Sequence, residues 1–240
     1  MAKVSAIVST YNSERFIKGR IEDLLRQTLY ARGELEIVVV NAGSKQGERY
    51  ILRDYLDCIT YIESLREPIY ASWNRGIAIA TGELVCNANS DDRLRPDALE
   101  VMAHALDDNP DVGLVYADAI VVSSENAVWG KPYTVSTKPP YNGRIAWPDY
   151  EPKLLTQYYF GGPNPMWRRS LHTTYGVLDD SFQLAGDLEW SLRLAAHGVK
   201  MLHIPYELTL FYDDGLNINN PEQSGMESRR ALLRWKGMIK

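Results

Sequence analysis

The feature that most constrains this chain is an alternation of short β-branched runs with stretches of helical period, repeated four or five times before about residue 117. Such a pattern requires a sheet whose strands are joined by crossover helices, which defines the α/β class. Val4 to Ser9 reads as the first strand. A polar turn, Thr10-Tyr11-Asn12-Ser13, follows, with Ser13 placed to cap a helix carrying Phe16, Ile17, Ile21, Leu24, Leu25 and Thr28 on one face. Strands are expected over Glu36 to Val40, Ile59 to Glu63 and Leu84 to Asn87, and helices over Glu48 to Leu56 and Tyr70 to Ala80, the latter ended by Gly82. Pro96 opens a further helix to about Asn109, and Gly113 to Ala117 resumes strand character.

The remainder is less regular. Trp129, Pro132, Tyr133, Pro139, Tyr141, Trp147 and Tyr150 crowd one stretch, which by composition is expected to be a long loop or lid. A helix from Asp187 to His197, a strand at Lys200 to Ile204, an apolar stretch to Tyr212 and a basic terminal helix holding Arg229, Arg230, Arg234 and Lys236 complete the chain. No internal repeat or low-complexity linker divides it, so residues 1–240 are read as one unit, with a nucleotide-type half over 1–118 and a second half over 119–240 completing the site.

Composition narrows the function. With 45% hydrophobic residues the chain is neither disordered nor a small disulfide scaffold. The 26 basic and 31 acidic residues give a net charge of −5, so no broad electrostatic footprint for nucleic acid exists and an anionic substrate must be held locally. Cys58 and Cys86 both fall in strand-like segments, as buried thiols in a reducing, cytoplasmic compartment would. The apolar run at the N-terminus is too short to span a bilayer and lacks a cleavage region.

Ligands of open parallel sheets bind beyond the carboxyl ends of the strands. Three polar clusters are expected there: Thr10-Tyr11-Asn12, Asn41-Ala42-Gly43-Ser44, and Asn87 to Asp92. Tyr11 is suited to stack on a base and Asn41 or Ser44 to hydrogen-bond one; ordinary turn chemistry explains the same residues. Asp91-Asp92 read either as hard oxygen ligands for magnesium or manganese bridging a diphosphate, or as caps of the helix near Pro96 with Arg93 and Arg95 as counter-ions. Spacing does not separate these. Asp187, at a helix start, is either a fixed carboxylate able to act as a general base or another cap, and Glu189 reads mainly as a surface pair with Arg193.

Absent motifs also constrain the reading. No G-x-G-x-x-G, no phosphate-binding G-x-x-x-x-G-K-[ST], no G-x-S-x-G elbow and no H-E-x-x-H helix occurs, and the four histidines are scattered. Dehydrogenase, hydrolase and zinc chemistries weaken accordingly.

Taken in order, Ile7-Val8-Ser9-Thr10-Tyr11-Asn12, Glu36 to Ser44, Asn74-Arg75-Gly76 through Thr81-Gly82-Glu83, Ser90-Asp91-Asp92, and Ala185-Gly186-Asp187 running into Trp190 to Leu194 resemble the family 2 glycosyltransferases. Met166 to Leu171 is similar to the family segment bordering the acceptor site. The resemblance implies a GT-A fold, a mixed, mostly parallel central sheet flanked by helices, and inverting transfer from a nucleotide-diphosphate sugar to a carbohydrate or glycolipid acceptor. It also implies a divalent ion, manganese or magnesium. Tyr11 would stack near the base, Asp91 would touch the ribose, Asp92 would coordinate the ion and Asp187 would be the base. Thr10, Asn12, Asn41, Asn74 and Asn89 would complete the donor site.

Three departures stand out. Asn41-Ala42 replaces a pair of family aspartates, Asn89 replaces an acid, and no histidine follows the last strand, where Asp213 or Asp214 offers oxygen instead. These changes keep a second expectation alive, a non-catalytic nucleotide- or sugar-binding module. A sugar-1-phosphate nucleotidyltransferase lacks its glycine- and basic-rich start here. The basic terminal helix is expected to be a solvated face or a peripheral contact with the inner side of a membrane.

Overall fold

The computed structural model describes residues 2–213 and 220–240. In chain order the elements are β1 (Val4–Thr10), α1 (Glu14–Leu25), α2 (Thr28–Ala31), β2 (Leu35–Asn41), α3 (Glu48–Leu52), β3 (Thr60–Glu63), α4 (Ile69–Ile79), β4 (Leu84–Asn87), β5 (Arg93–Leu94) and α5 (Ala98–Asp108). Then follow β6 (Val112–Val122), β7 (Arg144–Ile145), β8 (Met166–Arg168), α6 (Ser170–Tyr175), α7 (Gly186–Ala196), β9 (Lys200–Tyr212) and α8 (Pro221–Trp235).

The strands form one mixed sheet in the order β3-β2-β1-β4-β8-β6-β9-β5, with β7 added on β6. The first four pair in parallel, as crossover helices require. β8 then runs antiparallel between β4 and β6, so a strand from late in the chain stitches the two parallel groups together. β6 and β9 are longer than the sequence pattern indicates; β9 absorbs both Lys200 to Ile204 and the apolar stretch to Tyr212.

Alternation along β1 divides the core. Val4, Ala6 and Val8 pack with Ile17, Ile21 and Leu24 of α1 and with Leu99, Met102 and Leu106 of α5. Ile7, with Val38 and Val85 of the neighbouring strands, faces α4 and α7 through Trp73, Ile77, Leu188 and Leu192. Each fully buried aliphatic side chain contributes about 1.5–3 kcal/mol, and the period of two on a strand is what lets one sheet anchor helices on both faces. The strand ends therefore stay fixed while the loops beyond them carry polar groups.

Several expectations change here. Ser13 sits at the start of α1 but makes no side-chain cap; its hydroxyl donates to the Tyr11 carbonyl at 3.3 Å. Cys86 is fully buried, which pushes its thiol up to about 12, whereas Cys58 is only half-buried. Glu189 is not a surface residue: it is fully buried, pairs with Arg193 and accepts from Trp235 Nε1 at 2.8 Å. On α8, Arg230 stacks over Phe182 and Arg234 pairs with Asp179, so two of the four basic groups hold the helix down. Among the described residues no helix is long and apolar enough to cross a membrane.

Candidate active site

A cleft of about 980 Å³ opens above the carboxyl ends of β1 and β4 and is closed on its other side by the start of α7 and by the aromatic segment around β7. That volume suits a large polar ligand. Of the residues singled out from sequence, Tyr11, Asn89, Asp91 and Asp187 line it, whereas Thr10, Asn12, Asn41, Asn74 and Asp92 do not. Tyr141, Ile145 and Trp147 of the expected lid form part of the wall, tied to the sheet by the β6–β7 pairing.

Three of the residues that miss the cleft, Asn41, Asn12 and Asn74, have their polar atoms engaged elsewhere. Asn41 Oδ1 accepts from Ser44 N at 3.0 Å and its Nδ2 donates to the Tyr61 hydroxyl at 3.1 Å. Asn12 adopts φ 52°, accepts from Lys45 N at 2.9 Å and donates from its own N–H to Ser44 Oγ at 3.1 Å. Together they bolt the β1 and β2 loops to each other. Asn74 clamps residue 178, donating to its carbonyl at 2.8 Å and accepting from its N–H at 3.0 Å. Thr10 is buried.

At the end of β4 the structure separates the paired aspartates. Asp91 faces the cleft. Asp92 is 1% exposed; its Oδ2 accepts from Asn89 Nδ2 at 3.1 Å and Asn164 Nδ2 at 3.2 Å, and its Oδ1 from Tyr212 N at 3.2 Å. Of the pair, Asp91 is therefore the one whose carboxylate opens onto the cleft, while the oxygens of Asp92 are taken up by donors. Burial, with the neighbouring Asp91 charge, pushes Asp92 up to about 7, and burial raises Asp91 as well. Beneath them Arg20, fully buried, donates to Asp23 at 2.8 Å, to the Asp92 carbonyl at 3.2 Å and to Asn164 at 2.8 Å.

Across the cleft, Asp187 sits in the first turn of α7, where its Oδ1 accepts from Leu188 N at 2.8 Å and from the Tyr70 hydroxyl at 3.3 Å. Burial raises its carboxyl above the ordinary range, offsetting the helix N-terminus, while these donors act in the opposite direction. At the far end Arg66 lies 3.9 Å over the Tyr11 ring. Arg66 is the one cation on the cleft lining among the described residues, against Glu67, Asp91 and Asp187, and Glu67 is paired with Arg75 at 2.8 Å. Sequence reading missed Tyr70, Tyr159, Arg66 and Asn164, since each reaches its place from a loop or helix whose facing depends on packing.

A divalent ion of the magnesium type needs several oxygen donors around it. Among the described residues no group of three or more His, Cys, Asp and Glu side chains is arranged to hold one. Asp213 is buried and off the cleft, and Asp214 lies outside the described residues. Asn89 spends its amide on Asp92 and on the Pro163 carbonyl at 3.0 Å. What remains is Asp91, which fits an ion that arrives with a diphosphate: magnesium-like cations are commonly held by one or two carboxylates plus substrate phosphates and water.

Comparison with known proteins agrees with this architecture. The family model of glycosyl transferase family 2 matches residues 5–173, and the chain belongs to that family. Among curated relatives, the Escherichia coli glycosyltransferase YibD is 32% identical over 120 residues, 48% of this chain and 34% of that protein. Bacillus subtilis YwdF, also described as a glycosyltransferase, is 26% identical over 97% of this chain and 82% of its own length. The chain spans about a third of the length of several of the relatives it matches. Among solved structures, S. aureus TarS in complex with UDP-GlcNAc superposes with a TM-score of 0.72 at 18% identity, over 96% of this chain and 66% of that one. The mannosyltransferase PcManGT from Pyrobaculum calidifontis, in complex with GDP-Man and Mn2+, gives 0.65 at 19% identity, over 95% and 60%. The fold is that of the GT-A glycosyltransferases.

Proposed function

We propose that this protein transfers a sugar from a nucleotide-diphosphate donor to an acceptor hydroxyl with inversion, residues 1–118 building the donor side and 119–240 the acceptor side of one unit. The observation that carries this reading is that Asp91 and Asp187, brought in by different elements, open onto one cleft. Family membership and neighbours complexed with UDP-GlcNAc and with GDP-Man support it.

In this reading the base lies against Tyr11 and the diphosphate lies by Asp91. Asp91 would hold a divalent ion, manganese or magnesium, and that ion would supply charge neutralisation to the departing diphosphate. Asp187 accepts the proton of the acceptor hydroxyl as its oxygen bonds to the anomeric carbon and the bond to the nucleoside diphosphate breaks. Attack opposite the leaving group inverts that carbon. The walls at Trp147 and Tyr141 exclude water, which would otherwise compete as acceptor. The scarcity of cations on the lining favours an uncharged saccharide, free or lipid-linked, over an anionic acceptor. A cytoplasmic setting, with or without contact at the inner membrane face through Arg229 and Lys236, accords with two free thiols.

The test is nucleoside diphosphate release by purified protein with manganese and a panel of UDP-, GDP-, CDP- and dTDP-sugars plus neutral saccharide acceptors. Asp187→Asn should reduce release by about 10²-fold or more while donor-dependent thermal stabilisation persists. Donor binding by the wild type with neither transfer nor hydrolysis would favour the binding-module alternative.

A further inference from the structure

Among the described residues the Asp187 carboxylate is met by neutral donors and by no cation. Its neighbours are the Leu188 N–H and two phenols. Tyr70, from α4, is 3% exposed and places its hydroxyl 3.3 Å from Asp187 Oδ1. Tyr159, from the segment before β8, lines the cleft beside Tyr70, Asp187 and Ser191, whose hydroxyl donates to the Asp187 carbonyl at 2.9 Å, and its phenol acts on the Asp187 carboxyl in the lowering direction.

The backbone makes room for both rings. A Cβ at Gly186 would lie 2.6 Å from Tyr70 Cδ2 and Cε2, and a Cβ at Gly161 would collide with the Tyr159 hydroxyl. Any side chain at either position would displace the ring beside it, so the backbone itself is shaped to hold the two phenols next to Asp187.

We propose that Tyr70 and Tyr159 are positioning residues that fix the orientation of Asp187 and keep it ionised, ready to take the acceptor proton. The proposal rests on Asp187 being the base. Hydrogen bonds donated to a carboxylate favour its charged form, whereas a buried carboxylate without them would hold its proton and could not accept another. Burial and the Asp187 charge raise both phenols, so they stay protonated donors throughout the working range. Arg75 of α4 pairs with Glu67, and Arg230 and Arg234 of α8 hold Ser181 and Asp179. Glu227 of α8 accepts from the backbone N–H groups of Gln183, Leu184 and Ala185, and Glu189 pairs with Arg193.

The experiment compares wild type, Tyr70→Phe, Tyr159→Phe and Asp187→Asn. Phenylalanine keeps each ring packed and removes only the donor. Two readouts are taken: the titration midpoint of Asp187 by NMR of ¹³C-labelled aspartate, assigned by its loss in Asp187→Asn, and the pH dependence of diphosphate release from the panel's best donor. Each Phe variant should raise the midpoint by about half a pH unit or more and move the acid limb of kcat upward equally, with turnover recovered at higher pH and donor KM unchanged. An unmoved midpoint and acid limb in both variants overturns the positioning role while leaving Asp187 as base. Wild-type release by Asp187→Asn would overturn both.

Discussion

The wall at the end of β4 surrounds its carboxylates with arginines and amides, whereas the wall at the start of α7 surrounds Asp187 with neutral phenols and backbone N–H groups. On the first, Arg20 and Arg93 lie under Asp91 and Asp92, and Asn89 and Asn164 saturate Asp92. Such a wall is closely hydrogen-bonded and balances buried acids against buried arginines. On the second, Asp187 meets only neutral donors, the Leu188 N–H and the Tyr70 hydroxyl. The difference teaches that two acids on one cleft acquire different chemistry from what lies behind them.

The largest effect that would sharpen this contrast is on stability. Arg20→Ala leaves Asp23 buried without its partner and withdraws the support under Asp92, so the chain should lose about 3–5 kcal/mol in urea unfolding. Asp187→Asn should cost far less, since no ion pair is broken. Equal losses in the two variants would erase the distinction between a structural and a chemical wall.

An intermediate effect concerns pH. His172 stacks on Trp190 at 4.7 Å and accepts from Trp167 Nε1 at 2.8 Å, and burial lowers it to about 4. Folded His172 stays neutral, while in the unfolded chain it takes a proton below about 6.5. Its contribution is therefore present above that pH and is lost as pH falls toward about 4, amounting to at most about 3 kcal/mol. Urea midpoints between pH 7 and pH 4 should show this decline in the wild type and a flatter one in His172→Gln.

The smallest effect is at the donor end. Arg66→Ala removes, from an exposed position, the one cation on the cleft lining among the described residues, and should weaken the Kd for the preferred nucleoside diphosphate by roughly two- to fivefold by calorimetry. A loss beyond tenfold would mean that Arg66 grips the diphosphate as well as the base.

Period and strand-end chemistry alone determined the α/β class, the first four strands, the helices at Tyr70 and Asp187, and the placing of Tyr11, Asn89, Asp91 and Asp187 at candidate positions. These follow from local rules, because side-chain alternation and turn residues act within a few positions along the chain. Only the tertiary structure decided that β8 enters between β4 and β6, that Asp91 and not Asp92 faces the cleft, that Asn41 and Asn12 serve the loops, and that Glu189 is buried. Each of those outcomes depends on partners far away in sequence. Adjacent aspartates are equivalent as letters; Asn164 and Tyr212, 72 and 120 residues downstream, make them different by claiming the oxygens of one and leaving the other open.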